Sequence, residues 1–127
     1  MRVESVVDMH DQPVLYSVDL SDCSALARFD APALGAAFAE ALARAGATIV
    51  EQAMHLFPGG GVTWVLVLRE SHAVLHTWPE TGTVNIDIFS CSTRLRSLAA
   101  IEELGRLLGA GEVAVQETAR ADGRARV

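Results

Sequence analysis

The sequence predicts an α+β fold: a two-layer sandwich with two helices on one face of a mostly antiparallel sheet. Three observations carry this. Half of the 127 residues are apolar and 20% are charged, enough to build the core of one domain spanning 1–127. Two stretches repeat apolar residues every three or four positions, the helical period. The remaining apolar stretches are short, alternate or run unbroken, and are separated by glycine and proline, as strands joined by turns are.

Met1 to Pro13 is polar and is expected to fray. Val14 to Leu20 is rich in strand formers and opens the sheet, and Ser21 to Phe29 reads as loop. Asp30 is a helix N-cap with Pro32 in the first turn; Leu34, Phe38 and Leu42 form the apolar stripe, and Gly46 ends the helix. Thr48 to Phe57 is the second strand, and Pro58-Gly59-Gly60-Gly61 is a turn. Val62 to Leu68 is the third strand, apolar on both faces; Ala73 to Trp78 is the fourth, followed by a turn at Pro79 to Gly82. Val84, Ile86 and Ile88 alternate with Asn85, Asp87 and Phe89 in the fifth. A second helix starts near Thr93, carries Leu95, Leu98, Ile101, Leu104 and Leu108, and stops at Gly109 or Gly111. Val113 and Val115 mark a last strand, and Ala119 to Val127 reads as a mobile tail. The element order is β-α-β-β-β-β-α-β. Strands apolar on both faces need a second cover, and a second subunit whose sheet faces the first is the simplest one.

Composition excludes several functions. A formal net charge of −6 gives no basic face for phosphate backbones, so no nucleic-acid partner is expected. All ten basic residues are arginine, so no lysine can hold pyridoxal phosphate or attack a carbonyl. Two cysteines, Cys23 and Cys91, with no signal peptide predict free thiols and a cytoplasmic protein. The longest apolar stretch, Val62 to Leu68, is far below the ~20 residues of a membrane span, so no membrane partner is expected. No paired metal-ligand spacing occurs.

Reactive side chains concentrate between Glu70 and Cys91: Glu70-Ser71-His72, then His76-Thr77-Trp78-Pro79-Glu80, then Asp87-Ile88-Phe89-Ser90-Cys91. Taken by residue type alone, this is either a Ser/His or Cys/His nucleophile site or a polar strand edge with one core histidine.

As a string, Glu-Ser-His-x-x-x-His-Thr-Trp-Pro-Glu followed by Asp-x-Phe-x-Cys resembles the prokaryotic S-adenosylmethionine decarboxylase proenzyme family. The resemblance extends upstream to His55-Leu56-Phe57 and Gly61-Val62-Thr63 and covers about residues 14 to 118. It implies a proenzyme that cuts itself between Glu70 and Ser71, giving a β chain of residues 1–70 and an α chain of 71–127. It implies that Ser71 becomes a covalent pyruvoyl group (pyruvate as the cofactor). This group replaces pyridoxal phosphate as the electron sink and holds the substrate amine as a Schiff base. The missing lysine is compatible with that.

The resemblance assigns His76 as the proton acceptor and donor of processing, Thr63 to a position where the family has an assisting serine, and Cys91 as the proton donor of decarboxylation. It assigns Phe57 and Trp78 to stack on adenine and sulfonium, and Glu80 to bind the ribose hydroxyls. Plainer alternatives stand beside these: a strand-edge serine, a structural histidine, an inert thiol, core aromatics and a turn glutamate. His72, His10, His55, Cys23 and Ser92 receive no role. Ser71 and His76 are five residues apart, an odd offset that puts them on opposite faces of a straight strand. Ser71 is therefore expected at a bend or strand end, or His76 to reach it after a bulge.

The implied activity is decarboxylation of S-adenosylmethionine in a homodimer, giving the aminopropyl donor for spermidine, a polyamine. One alternative keeps the pyruvoyl group and takes another amino acid, such as ornithine or arginine. Another is an unprocessed nucleoside-binding or regulatory subunit.

Overall fold

A computed structural model describes residues 1–5, 12–91 and 95–121. Seven strands form one sheet: β1 Arg2–Ser5, β2 Val14–Ser21, β3 Ile49–Leu56, β4 Val62–Leu68, β5 Ser71–Trp78, β6 Thr83–Ser90 and β7 Glu112–Ala119. The order across it is β1-β7-β2-β6-β5-β4-β3. Among the described residues, the β1–β7 pair is parallel and the other strand pairs are antiparallel. Helices α1 (Ala31–Arg44) and α2 (Ser97–Leu107) are the two predicted ones, so the α+β class stands.

The two helices share a device at their ends. Asp30 Oδ1 accepts from Ala33 N–H at 2.8 Å and opens α1. Gly46 closes it at φ 109, with Ala47 N–H bonded back to the Leu42 carbonyl. Gly109, at φ 66, closes α2 in the same way through Ala110 N–H and the Gly105 carbonyl. The apolar stripes of both helices lie on one sheet face. Phe38, Leu42, Ile101 and Leu104 are fully buried there against Leu20, Leu66, Leu75, Ile86 and Ile88. Truncating Phe38 to alanine would cost about 3–5 kcal/mol in such a core. Gly35 lets α1 lie flat on the Trp64 ring; a Cβ there would sit 2.4 Å from Trp64 Cε2. The indole Nε1–H of Trp64 donates to the Ala31 carbonyl at 2.9 Å.

Several boundaries differ from the sequence expectation. Residues 2–5, expected to fray, form β1, which reaches across the chain to pair with β7 from Arg2↔Ala114 to Ser5↔Glu117. The segment expected as a tail from Ala119 begins with the last residue of β7. β5 starts at Ser71 rather than Ala73. The described part of α2 starts at Ser97, with Leu95 just before it; Thr93 and Ser92 lie outside the described residues, as does His10. The Ser21–Phe29 loop contains a 3-10 turn, Leu26–Arg28.

Neither helix covers the second sheet face. It carries Thr63, Val65 and Val67 of β4, His72, Val74 and His76 of β5, and Asn85, Asp87 and Phe89 of β6. No helix among the described residues is long and apolar enough to cross a membrane.

Candidate active site

β4 and β5 are joined by Arg69 and Glu70 alone, because Leu68 pairs directly with Ser71. So tight a hairpin forces positive φ into its loop, which glycine, asparagine or aspartate normally supplies. Here Glu70 supplies it, at φ 59. The other non-glycine residue with positive φ among the described residues is Asp22, a type whose short side chain tolerates this region. A glutamate has no such compensation and carries about 1–2 kcal/mol of backbone strain.

Ser71 follows this strained residue as the first residue of β5. It is nearly buried, in the row that faces the helices with Leu68 and Ala73. Its Oγ accepts the Cys91 N–H at 3.0 Å. Cys91 itself lies just past the end of β6 and is exposed.

A second group gathers further along β5, on the open face. His76 pairs with Thr63 across β4, and Thr63 Oγ1 lies 2.6 Å from His76 Nδ1. Two aromatics flank the imidazole edge-on: Trp78 at 4.5 Å between ring centroids and Phe57 at 5.6 Å. Both are about two-fifths exposed, at 45% and 41%, so each offers ring surface to a ligand. His55 packs edge-on against Phe57 at 4.6 Å. Trp78 Nε1–H donates to Asn85 Oδ1 at 2.6 Å, and Asn85 Nδ2 donates to Asp19 Oδ1 at 2.7 Å. Glu80 sits exposed in the turn joining β5 to β6. Below the turn, Thr77 Oγ1 accepts Val62 N–H at 3.1 Å and ties β5 to β4 from the helix side.

The open face also carries charge. Partial burial pushes the Asp87 carboxyl up from the usual carboxylate range; Asp19 adds to this and His72 opposes it. His72 stacks on Phe89 with centroids 5.2 Å apart. On the helix side, burial and then Asp22 push the Cys23 thiol up, and Cys23 lines a cavity of about 310 Å³ with Phe29 and Leu34. Among the described residues, no three His, Cys, Asp or Glu side chains converge on a metal position.

A family profile described as S-adenosylmethionine decarboxylase matches residues 15–121. The chain belongs to the S-adenosylmethionine decarboxylase family. The S-adenosylmethionine decarboxylase proenzyme of Acidithiobacillus ferrooxidans is 35% identical over 102 residues, covering 80% of this chain and 77% of the relative. The proenzyme of the same name from Prochlorococcus marinus is 36% identical over 103 residues, 81% of this chain and 82% of its own. The fold matches the crystal structure of the adenosylmethionine decarboxylase from Aquifex aeolicus, with a TM-score of 0.77 over 92% of this chain and 98% of that one, at 20% identity.

Within this decarboxylase-family chain, the candidate residues form two separate groups. Thr63, His76, Phe57 and Trp78 meet on the open face. Glu70, Ser71 and Cys91 meet at the start of β5. Five residues of strand, about 17 Å, and the thickness of the sheet separate Ser71 from His76. The pairings of β5 with β4 and β6 run without a register shift, so no bulge shortens that path. Sequence reasoning missed Asn85 and Asp19, which hold Trp78. The visible signal was Asn85 alternating with Ile86; its partner on β2 becomes visible only once β2 is placed beside β6.

Proposed function

We propose that this chain is a self-cleaving proenzyme that matures into a pyruvoyl-dependent S-adenosylmethionine decarboxylase. It releases CO₂ and yields the decarboxylated aminopropyl donor of spermidine synthesis. The observation that carries the reading is Glu70 at φ 59, immediately before a serine whose hydroxyl is held in place. Strain sits on the residue whose carbonyl must be attacked.

Cleavage uses the chain's own groups. Ser71 Oγ attacks the Glu70 carbonyl carbon, the Glu70–Ser71 amide C–N bond breaks, and an ester takes its place. Loss of the Ser71 α-proton expels the Glu70 carboxylate as the Cβ–Oγ bond breaks. The dehydroalanine left at the new N-terminus tautomerises, and water releases ammonia and leaves a ketone. The products are residues 1–70 and 71–127. The surroundings fit such a group: the Ser71 side chain is enclosed, a backbone N–H lies beside it, and the Cys91 thiol follows on the same residue. The pyruvoyl group supplies an electrophilic carbonyl and an electron sink in a chain that has no lysine.

The other roles follow from placement. Phe57 and Trp78 offer exposed ring faces on either side of His76, an arrangement that attracts a sulfonium cation. Glu80 accepts hydrogen bonds from ribose hydroxyls. Thr63 holds His76 through Nδ1, leaving Nε2 to carry the processing proton. Cys91 Sγ holds the proton that goes to the substrate carbon after CO₂ leaves.

His76 stands about 17 Å along β5 and on the other face from Ser71 of its own chain, and this separation supports a homodimer. The open face carries Val65, Val67, Val74 and Phe89, with Val67 40% exposed. Two copies related by a two-fold axis normal to the strands would bury these faces against each other. That places the start of one β5 opposite the far end of the other. Once the 70–71 amide bond has given way to the ester, residue 71 is no longer held in the hairpin and can turn from the helix side to the open side, where a His76 takes its α-proton.

The test is intact mass. Purified protein should give two chains, with residues 71–127 lacking a free amine, and Ser71→Ala should stay whole and inactive. A single 127-residue chain in active wild-type protein overturns the reading.

A further inference from the structure

We infer that Asn85 and Asp19 are positioning residues that fix the indole of Trp78 as one wall of the substrate slot. This rests on the proposed function and names part of how the slot selects its substrate.

The bonds allow a single arrangement. An indole Nε1–H can only donate, so Asn85 must present its carbonyl oxygen to Trp78, which it does at 2.6 Å. That leaves its Nδ2 amine to find an acceptor, and the Asp19 carboxylate takes it at 2.7 Å. Asp19 faces Asn85 directly across β2 and β6. Trp78 lies diagonally from Asn85, since His76 is the residue opposite it. The carboxylate orients the amide, and the amide orients the ring.

The ring needs such an anchor. It is 45% exposed, and besides this bond its one ring contact among the described residues is the edge of His76. An indole free to rotate about χ1 and χ2 would leave that edge and close or open the slot at random. Phe57, on the other side of His76, is instead braced by His55. The two walls are thus held by different means: one by ring packing, the other by a chain of hydrogen bonds ending on a different strand.

The test uses the two tryptophans as separate reporters. The mature protein carries two indole N–H groups: that of Trp64 bonded to Ala31 and that of Trp78 bonded to Asn85. In Asn85→Ala, the Trp78 indole resonance should move to a solvent-exposed position and exchange faster, with that of Trp64 unmoved. The KM and Kd for S-adenosylmethionine should rise about fivefold, the worth of one hydrogen bond, with kcat nearly unchanged. Asp19→Ala should give the same changes in smaller degree, and Asp19→Asn, which keeps an acceptor, should reverse them. In a Trp78→Phe background, Asn85→Ala should add nothing. An unmoved Trp78 resonance, unchanged affinity, or an equal loss in the Trp78→Phe background overturns the inference. Wild-type protein that neither cleaves nor decarboxylates overturns the proposed function instead. The indole signal and Kd need no turnover and still decide the anchoring.

Discussion

The two ends of β5 are built on different principles. At its start, Ser71 is held by the backbone: a two-residue turn with a left-handed glutamate, and one amide donor from Cys91. At its far end, His76 and Trp78 are held by side chains: Thr63, Phe57 and the Asn85–Asp19 pair. A strained backbone stores energy that can be released once, which suits a bond cut once. Side-chain contacts reform after every turnover, which suits binding. The same strand carries both because its two faces and two ends keep them apart.

The comparison breaks most decisively through mixed dimers. Ser71→Ala lacks the start of the site and His76→Ala lacks its far end, so each alone should be inactive. Co-expressed, they should regain about one quarter of wild-type activity, since half the random dimers carry one intact site of two. In those dimers only the His76→Ala chain should be cleaved. Activity no higher than either parent would mean that both ends serve the same chain.

Next in size is Cys91. It neighbours Ser71 through its own N–H, a backbone contact that alanine keeps. Cys91→Ala should therefore still cleave at least partly, seen as two bands on a denaturing gel. Its kcat should fall by roughly 10²–10⁴, as expected for a lost general acid. Normal turnover in this variant would make the thiol structural.

How far the sequence reached follows the same division. Leu34, Phe38 and Leu42 announce α1 because a helix buries one stripe against a neighbour, and both cap residues, Asp30 and Gly46, sit within the local window. Val84, Ile86 and Ile88 announce β6 for the matching reason with period two. β1 escaped because its pairing with β7 joins residues more than a hundred positions apart, and nothing within four residues records that. In the site, the motif string gave Glu70 to Cys91 as a set but not their geometry. The odd offset between Ser71 and His76 led to the expectation of a bend, a strand end or a bulge that would let them meet. Ser71 does stand at a strand end, but β5 pairs without a bulge and the two residues stay on opposite faces. The anchor of Trp78 was invisible because Asp19 belongs to another strand and meets Asn85 only through sheet order.

The strain itself can be tested at Glu70. Glycine and asparagine occupy positive φ at lower cost than glutamate, whereas glutamine keeps the strain and loses only the charge. Glu70→Gly and Glu70→Asn should slow self-cleavage about fivefold, the rate equivalent of about 1 kcal/mol. Glu70→Gln should cleave near the wild-type rate. Time courses of freshly refolded protein on gels separate these. Equal slowing in all three would assign the effect to the carboxylate instead of the backbone.

The smallest shift is that of the serine variant of Thr63, a residue that probes the far end alone. Its hydroxyl lies 2.6 Å from His76 Nδ1, close enough to fix the ring's tilt. Thr63→Val keeps the shape and removes the bond, so cleavage should slow about fivefold, the worth of one half-buried hydrogen bond. Thr63→Ser keeps the bond and removes a methyl beside a ring already crowded by Phe57 and Trp78. Serine should therefore cleave at least as fast as threonine, by a margin below about twofold, because one hydroxyl replaces another in the same role. Threonine's stiffer χ1 holds the hydroxyl toward His76 with less freedom to lose, which limits what serine can gain. If Thr63→Val cleaves like wild type, His76 is held by its two flanking rings alone. The far end would then rest on packing at His76 and on hydrogen bonding at Trp78.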